Sequence, residues 1–338
     1  MRLALVVICL VAVAPTRALA WVPPCAADDA LSEAAAALLL EGAPVDGASL
    51  ARTARAAGSD APVVHALVAR LAEEARVRAW LAALASRSDA PLLCGFAEDA
   101  TRLVLLATAH GGGLSAPLSE DVTALDVSLG PAFYAPRLVV LDARGALHDV
   151  ALEPHAVRAE LPADAPRPLL VQLVATGPAG PRPVAERTVG GELVAHSVSD
   201  SSSSRDASLS ERLRAERAAA AVPSVRAHRL LARAAFEQAR AVCASGRVSH
   251  VLTPGASPDE RYAALGIRAR FVGEAVGRAV DLDTAWSALL ASPSHRAALL
   301  DARFTDAGTG IATDREGRIC VAVALASWPR LVPRMRAH

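Results

Sequence analysis

Neither lysine nor asparagine occurs anywhere in the 338 residues, and aromatic side chains make up only 3% of them. Without asparagine the chain carries no N-glycosylation acceptor. All 35 basic residues are arginine, a bias that a GC-rich genome accounts for, so an arginine at any one position says little. Scarce aromatics leave a core to be built from Ala, Val and Leu, in a chain that is 53% apolar and 21% charged. An excess of one charge is also lacking: 35 basic residues face 35 acidic ones, and the pI is near 7.1. No global field draws nucleic acid or an anionic membrane, and no nucleic-acid partner is expected. Long apolar runs are missing beyond the first twenty residues, so no transmembrane segment is expected.

What is present begins with a secretory signal at residues 1–20, MRLALVVICLVAVAPTRALA. Arg2 is its positive region, Leu3 to Ala14 its apolar core, and Ala18-Leu19-Ala20 its small-x-small cleavage site. Cys9 lies inside the apolar core and is not read as a lipid anchor. The mature chain is expected to be secreted, starting near Trp21. Four cysteines then remain, Cys25, Cys94, Cys243 and Cys320. An oxidising compartment and an even count favour disulfides. The domain boundaries below favour Cys25–Cys94 and Cys243–Cys320, each closing a loop of about 70 to 80 residues and contributing about 4 kcal/mol in the chain-entropy model. Four buried thiols are the alternative.

The length suits two or three domains, and the fold class expected is α+β. Residues 21–115 are Ala- and Leu-rich with helical spacing, as in Val63, Val64, Leu67 and Leu71, with Asp60 and Pro62 as a helix start. They predict a helical region, in which His65 and His110 serve packing or the surface. Gly111-Gly112-Gly113 lacks a phosphate-loop fingerprint and predicts a flexible turn. Residues 116–192 hold short Val- and Leu-rich runs between turn signals, with a hairpin over Asp142 to Gly145; they predict a small, immunoglobulin-like β-sandwich. No metal role is expected for His148 or His155 there. Residues 193–207 are a Ser-rich linker. Ser208-Leu-Ser-Glu211 is a capping box opening a helix, and a second helix over Ser224 to Ser245 ends at Gly246. Residues 329–338 form a tail.

Chemistry concentrates between Gly246 and Gly310, where His250, Glu274 and His295 lie too far apart to share one helical face. Glu216-Arg217, Gly246-Arg-Val-Ser-His250, Arg261, Gly266, Gly273-Glu274, Trp286, Ser292-Pro-Ser-His295-Arg296, Asp306-Ala-Gly308-Thr-Gly310 and Ile319-Cys-Val-Ala-Val-Ala-Leu325 follow one another in order. Through this series residues 208–328 resemble a CAP domain, the module of cysteine-rich secretory proteins, antigen 5 and pathogenesis-related proteins, in its bacterial branch.

The resemblance implies an α-β-α sandwich with a concave cavity, lined here by His250, Glu274, Ser292 and His295. It also implies a divalent-metal site, with His250, Glu274 and His295 as ligands. Two departures stand out: Ala275 replaces the Asn expected after Glu274, and no second acid lies near Trp286, where Ala288, Leu289 and Leu290 stand. Two histidines and a glutamate suffice for Zn²⁺ or another divalent cation and would activate a bound water. A metal-free cleft, with Glu274 accepting a hydrogen bond from an imidazole, and a purely structural trio are the other readings. Ser292 and Ser294 lack the elbow of a serine hydrolase. The function expected is an extracellular binding module for a small-molecule, lipid or cell-envelope ligand. The alternatives are a metal-assisted hydrolase of peptide or envelope material and a structural envelope protein.

Overall fold

The computed structural model describes residues 25–42, 47–116, 122–178, 180–191, 208–252 and 256–328. The signal segment, the Ser-rich linker and the C-terminal tail lie outside the described residues.

The first unit runs β1 (Ala26–Ala27), α1 (Asp29–Glu41), α2 (Gly47–Ala56), β2 (His65–Arg70), α3 (Glu74–Ala85), β3 (Leu92–Glu98) and β4 (Arg102–Ala109). It is therefore not the helical region that its composition suggests. Its strands form one sheet in the order β1-β3-β4-β2. The run around Leu67 satisfies helical spacing, but His65–Arg70 alternates, with Leu67 and Ala69 buried and their neighbours more open, and pairs antiparallel with β4. On β4 itself, Leu103, Leu105 and Ala107 pack towards α3, while Val104 and Leu106 pack towards α1 and α2. Helices thus cover both faces. Cys25 is bonded to Cys94, with Cα atoms 5.8 Å apart.

The middle unit holds β5 (Gly112–Ser115), β6 (Ala124–Leu129), β7 (Tyr134–Leu141), β8 (Leu147–Ala151), β9 (Arg158–Glu160), β10 (Leu169–Gly177) and β11 (Gly180–Val189). Two sheets, β11-β10-β7-β8 and β5-β6-β9, enclose a core that includes Leu125, Phe133, Leu138, Val171 and Leu173. The β7–β8 hairpin turns at Asp142–Gly145 as its sequence predicts. Asp142 Oδ1 accepts the backbone N–H groups of Arg144 and Ala146, both at 2.9 Å. Asp142 Oδ2 lies 3.2 Å from His148 Nε2. The triple glycine is not a free turn. Gly112 and Gly113 begin β5, and a Cβ on Gly111 would meet Val184 and Phe133 at 2.9–3.0 Å.

The third unit runs α4 (Leu209–Ala219), β12 (Arg226–Ala227), α5 (Arg229–Ser245), α6 (Pro258–Ala264), β13 (Phe271–Ala279), α7 (Leu282–Ala291), α8 (Pro293–Leu300), β14 (Asp306–Thr313) and β15 (Ile319–Ser327). The capping box at Ser208 and Glu211 is formed. The second helix starts at Arg229 rather than Ser224, because Arg226 and Ala227 pair with β14 instead. Strand alternation builds three layers. Val321, Val323 and Leu325 face α4, α7 and α8, whereas Ala322, Ala324 and Ala326 face α5 and α6. Small residues on that second face let α5 lie close: a Cβ on Gly308 would sit 1.9 Å from the Ala232 nitrogen. Cys243 is bonded to Cys320, with Cα atoms 5.7 Å apart.

The first and third units share one frame. The third sheet has the order β12-β14-β15-β13, the counterpart of β1-β3-β4-β2. Ala27 pairs with Cys94 in parallel just as Ala227 pairs with Ala307. The next amide donates in each case across 2.9 Å, Asp28 to Cys94 O and His228 to Ala307 O. Leu31, Ala34 and Ala35 of α1 are buried, as are Leu231, Ala234 and Ala235 of α5. Gly95 meets the α1 backbone as Gly308 meets α5, with a Cβ 2.1 Å from the Ser32 nitrogen. Following the strand registers, Ala66 occupies the place of Glu274. Gly308→Ala is expected to push α5 off the sheet and cost about 3 kcal/mol, the upper end of ordinary overpacking penalties. Gly95→Ala should do the same in the first unit. Urea unfolding would check both, and losses below 1 kcal/mol would show that the helices dock less tightly.

Candidate functional site

The sequence delivers His250 through the end of α5. Gly246 adopts a left-handed conformation (φ 65°) and its N–H reaches Val242 O at 2.9 Å, which stops the helix. Gln238, buried on α5, donates to Ser249 O at 2.7 Å. Arg261 on α6 donates to His250 O at 2.7 Å and to Ala256 O at 2.6 Å. The loop bearing His250 is therefore held at both ends. Glu274 stands on β13, a strand paired on one side only, with β15. Its side chain is 1% exposed.

The three residues singled out in the sequence do converge. His250 Nδ1 lies 2.9 Å from Glu274 Oε1, and the His250 and His295 rings are 6.5 Å apart between centroids, tilted by 49°. The other carboxylate oxygen of Glu274 is held by the Arg261 guanidinium. Nothing local in the sequence marks this role for Arg261, one residue of the ordered series. Below the site, Tyr262 is buried and its hydroxyl donates to Gly273 O at 3.2 Å. Burial and the nearby Glu274 charge push that hydroxyl's pKa well up, so it stays protonated.

His295 rides on α8, which α4 fixes. Arg217 is fully buried and donates to the carbonyls of Leu299, Asp301 and Phe304 at 2.7, 3.2 and 3.4 Å. Its neighbour Glu216 pairs with Arg296 at 3.2 Å. Enclosure by protein, with a smaller contribution from the facing His250, brings the His295 imidazole down to about 4. It is neutral at neutral pH. The unfolded chain, near the ordinary 6.5, takes up this proton first, so stability should fall as pH drops from about 6.5 to 4 and level off below. A loss of about 1–2 kcal/mol is expected from this group, allowing for its partly exposed edge. An NMR titration of the His295 ring with a midpoint above 6 would refute the assignment.

Ser292 hydrogen-bonds towards the middle unit and along its own helix. Its hydroxyl lies 3.3 Å from Gln172 Nε2, 3.4 Å from Gln172 Oε1 and 3.2 Å from the Ser294 hydroxyl. Gln172, a buried residue of β10, also accepts the Ser294 N–H at 2.9 Å and donates to Glu186 Oε2 at 2.7 Å. Glu186 in turn pairs with Arg55 of the first unit at 2.6 Å. On the His250 side, a Cβ on Gly180 of β11 would lie 3.3 Å from His250 Cβ. The middle unit therefore packs against both histidine-bearing segments. No local motif signals Gln172, 120 residues before Ser292.

The two departures from the family pattern have different consequences. Ala275 alternates away from Glu274 and is fully buried in the core towards α7, so a longer amide at that position would not reach Glu274 on the strand's other face. Where a second acid would stand, Leu289 and Leu290 fill the same core. Both Glu274 oxygens are engaged, one by a guanidinium whose charge disfavours a cation beside it. Among the described residues no group of three or more His, Cys, Asp or Glu side chains forms a metal-binding cluster.

No protein-family model matches the chain, nor does any curated protein. Solved structures with likeness to it include an extracellular SCP-domain protein from Bacillus anthracis, at 17% identity over 35% of this chain and 38% of that one, with a TM-score of 0.32. An outer surface protein from Borrelia burgdorferi shows 19% identity over 36% of this chain and 90% of that one, TM-score 0.34. A cysteine-rich secretory protein from Staphylococcus aureus shows 12% identity over 69% of this chain and 83% of that one, TM-score 0.31. The chain thus spans well under half the length of the Bacillus protein. The three layers and the strand order make residues 208–328 an α-β-α sandwich, the architecture that the sequence resemblance implies.

Proposed function

We propose that this is a secreted, disulfide-bonded binding protein whose CAP-like unit takes a small or lipidic ligand beside His250 and His295, with Glu274 beneath them as organiser, without a metal. The observation that carries the reading is the Arg261–Glu274–His250 chain, in which every carboxylate oxygen has a protein partner. It leaves Glu274 an organiser of the cleft rather than a ligand for a cation. His295, neutral and facing His250, supplies a donor and an acceptor to a polar group of the ligand. The two disulfides support export. Among the described residues no helix is long and apolar enough to cross a membrane.

The test is native mass spectrometry of the purified full chain, first with Zn²⁺ and then after incubation with a cell-envelope lipid extract. Expected are less than 0.1 equivalent of zinc and a retained small molecule that His250→Ala/His295→Ala loses. One equivalent of zinc with peptide or envelope hydrolysis would establish the metal-assisted hydrolase instead. Neither metal nor ligand, with the double variant as well folded and exported as wild type, would leave a structural envelope protein.

A further inference from the structure

A second feature of the molecule lies beside the end of α5 and does not include the histidines. A groove of about 810 Å³ opens between the last turns of α5, the β14–β15 turn and the segment joining α3 to β3. Five arginines line it, from the first unit and the third: Arg87, Arg240, Arg278, Arg315 and Arg318. Only Arg278 is neutralised, by Asp314 and, at 3.4 Å, by Glu316. Asp314 has nothing left to offer the others, because its Oδ1 accepts the N–H groups of Glu316 and Arg318 at 3.0 and 2.8 Å to shape the turn. Among the described residues, Arg87, Arg240, Arg315 and Arg318 have no carboxylate partner. The carbonyl end of α5 favours one nearby cation, not four.

We propose that this groove binds a phosphate-bearing anion, with Arg240, Arg315 and Arg318 from the third unit and Arg87 from the first as its donors. The lining holds five arginines against the two acids Asp314 and Glu316, and an anion in the groove would meet several forked, cationic donors at once. The chain as a whole is neutral, so this concentration of positive charge is local and not a by-product of a basic protein. The volume lies in the range of about 300–1,000 Å³ that holds ligands of several chemical groups. A single inorganic phosphate would leave most of it empty; a polyphosphate or a phosphodiester headgroup would fill it.

Sodium tripolyphosphate and vesicles of phosphatidylglycerol, with phosphatidylcholine vesicles as the neutral control, serve as probes on the full chain. Calorimetry is expected to show tripolyphosphate binding that weakens between 50 and 200 mM NaCl, values on the order of those at which screening changes markedly. Arg240→Ala/Arg318→Ala should lower the affinity at least tenfold, and Arg87→Ala about threefold, by the scale of charge-assisted hydrogen bonds. Arg158→Ala, on the middle unit, should leave it unchanged. All four side chains are on the surface, so melting temperatures should stay within about 2 °C of wild type and exclude unfolding as the cause. Sedimentation with phosphatidylglycerol vesicles, reversed by tripolyphosphate, would identify a headgroup as the source. Tripolyphosphate binding without sedimentation would identify a soluble anion. Binding of neither probe, or binding that the double variant leaves intact, overturns the proposal.

Discussion

Replacing Glu274 with alanine is expected to lower the unfolding free energy of the third unit by about 3–5 kcal/mol, the cost of removing one partner from a buried charge pair. The glutamate side chain is 1% exposed and Arg261 is 19% exposed, so the arginine left behind cannot recover its hydration. It would keep its bonds to the carbonyls of His250 and Ala256 while losing the charge that balances it. His250 would lose its Nδ1 partner, and the loop after α5 would lose its tie to β13. Glu274→Gln preserves the volume but not the charge, and should recover only part of the loss. Arg261→Ala should cost a similar amount, and the double variant less than the sum, because both act on one network. Urea unfolding followed by the fluorescence of Trp286, buried in the same unit, measures each value. A loss under 1 kcal/mol for Glu274→Ala would mean that the network does not hold these segments together.

Cys243→Ala/Cys320→Ala is expected to cost about 4 kcal/mol. The bridge closes a segment with a sequence separation of 77, and in the chain-entropy model such a loop contributes about 4.5 kcal/mol, of which native proteins realise most. The local consequence is as informative as the magnitude. Cys243 sits in the last turn of α5 and Cys320 is fully buried on β15. Gly246 and the His250 loop follow directly from that turn. Releasing it should speed amide exchange across residues 242–251 and weaken the His250–Glu274 contact. Removing Cys25 and Cys94 should destabilise the first unit comparably and leave exchange around His250 unaltered. Equal protection of residues 242–251 in wild type and variant would show that the bridge does not position the site.

Much of this was legible from side-chain chemistry that acts locally. The capping box at Ser208, the left-handed stop at Gly246 and the Asp142–Gly145 hairpin each use a few adjacent residues whose preferences the fold respects. The convergence of His250, Glu274 and His295 was legible only through an ordered series of short motifs. The first unit is ambiguous in sequence, because Val63 to Leu71 satisfies a helical period and, over His65–Arg70, an alternating one; pairing with β4, remote in sequence, decides for the strand. Arg261 was hidden by composition, since a chain whose basic residues are all arginine gives no reason to favour one of them. Gln172 was hidden by distance. Its partners lie in another unit, and no spacing rule connects β10 to the start of α8.

The frame common to the first and third units also bears on how the chain assembles. Two sheets of the same register offer similar seats to two helices, α1 and α5, whose buried positions match. During synthesis each helix could settle on the other's sheet, the cross-docking that threatens proteins carrying similar domains in tandem. Several features oppose it. The whole middle sandwich is made between them, so α1 and β3 are complete long before β14 emerges. Helix α5 is four residues longer than α1, and its extra turn carries Cys243, which has its partner only on β15. The sandwich therefore acts as a folding spacer between two look-alike halves, besides packing against both of them once they are formed.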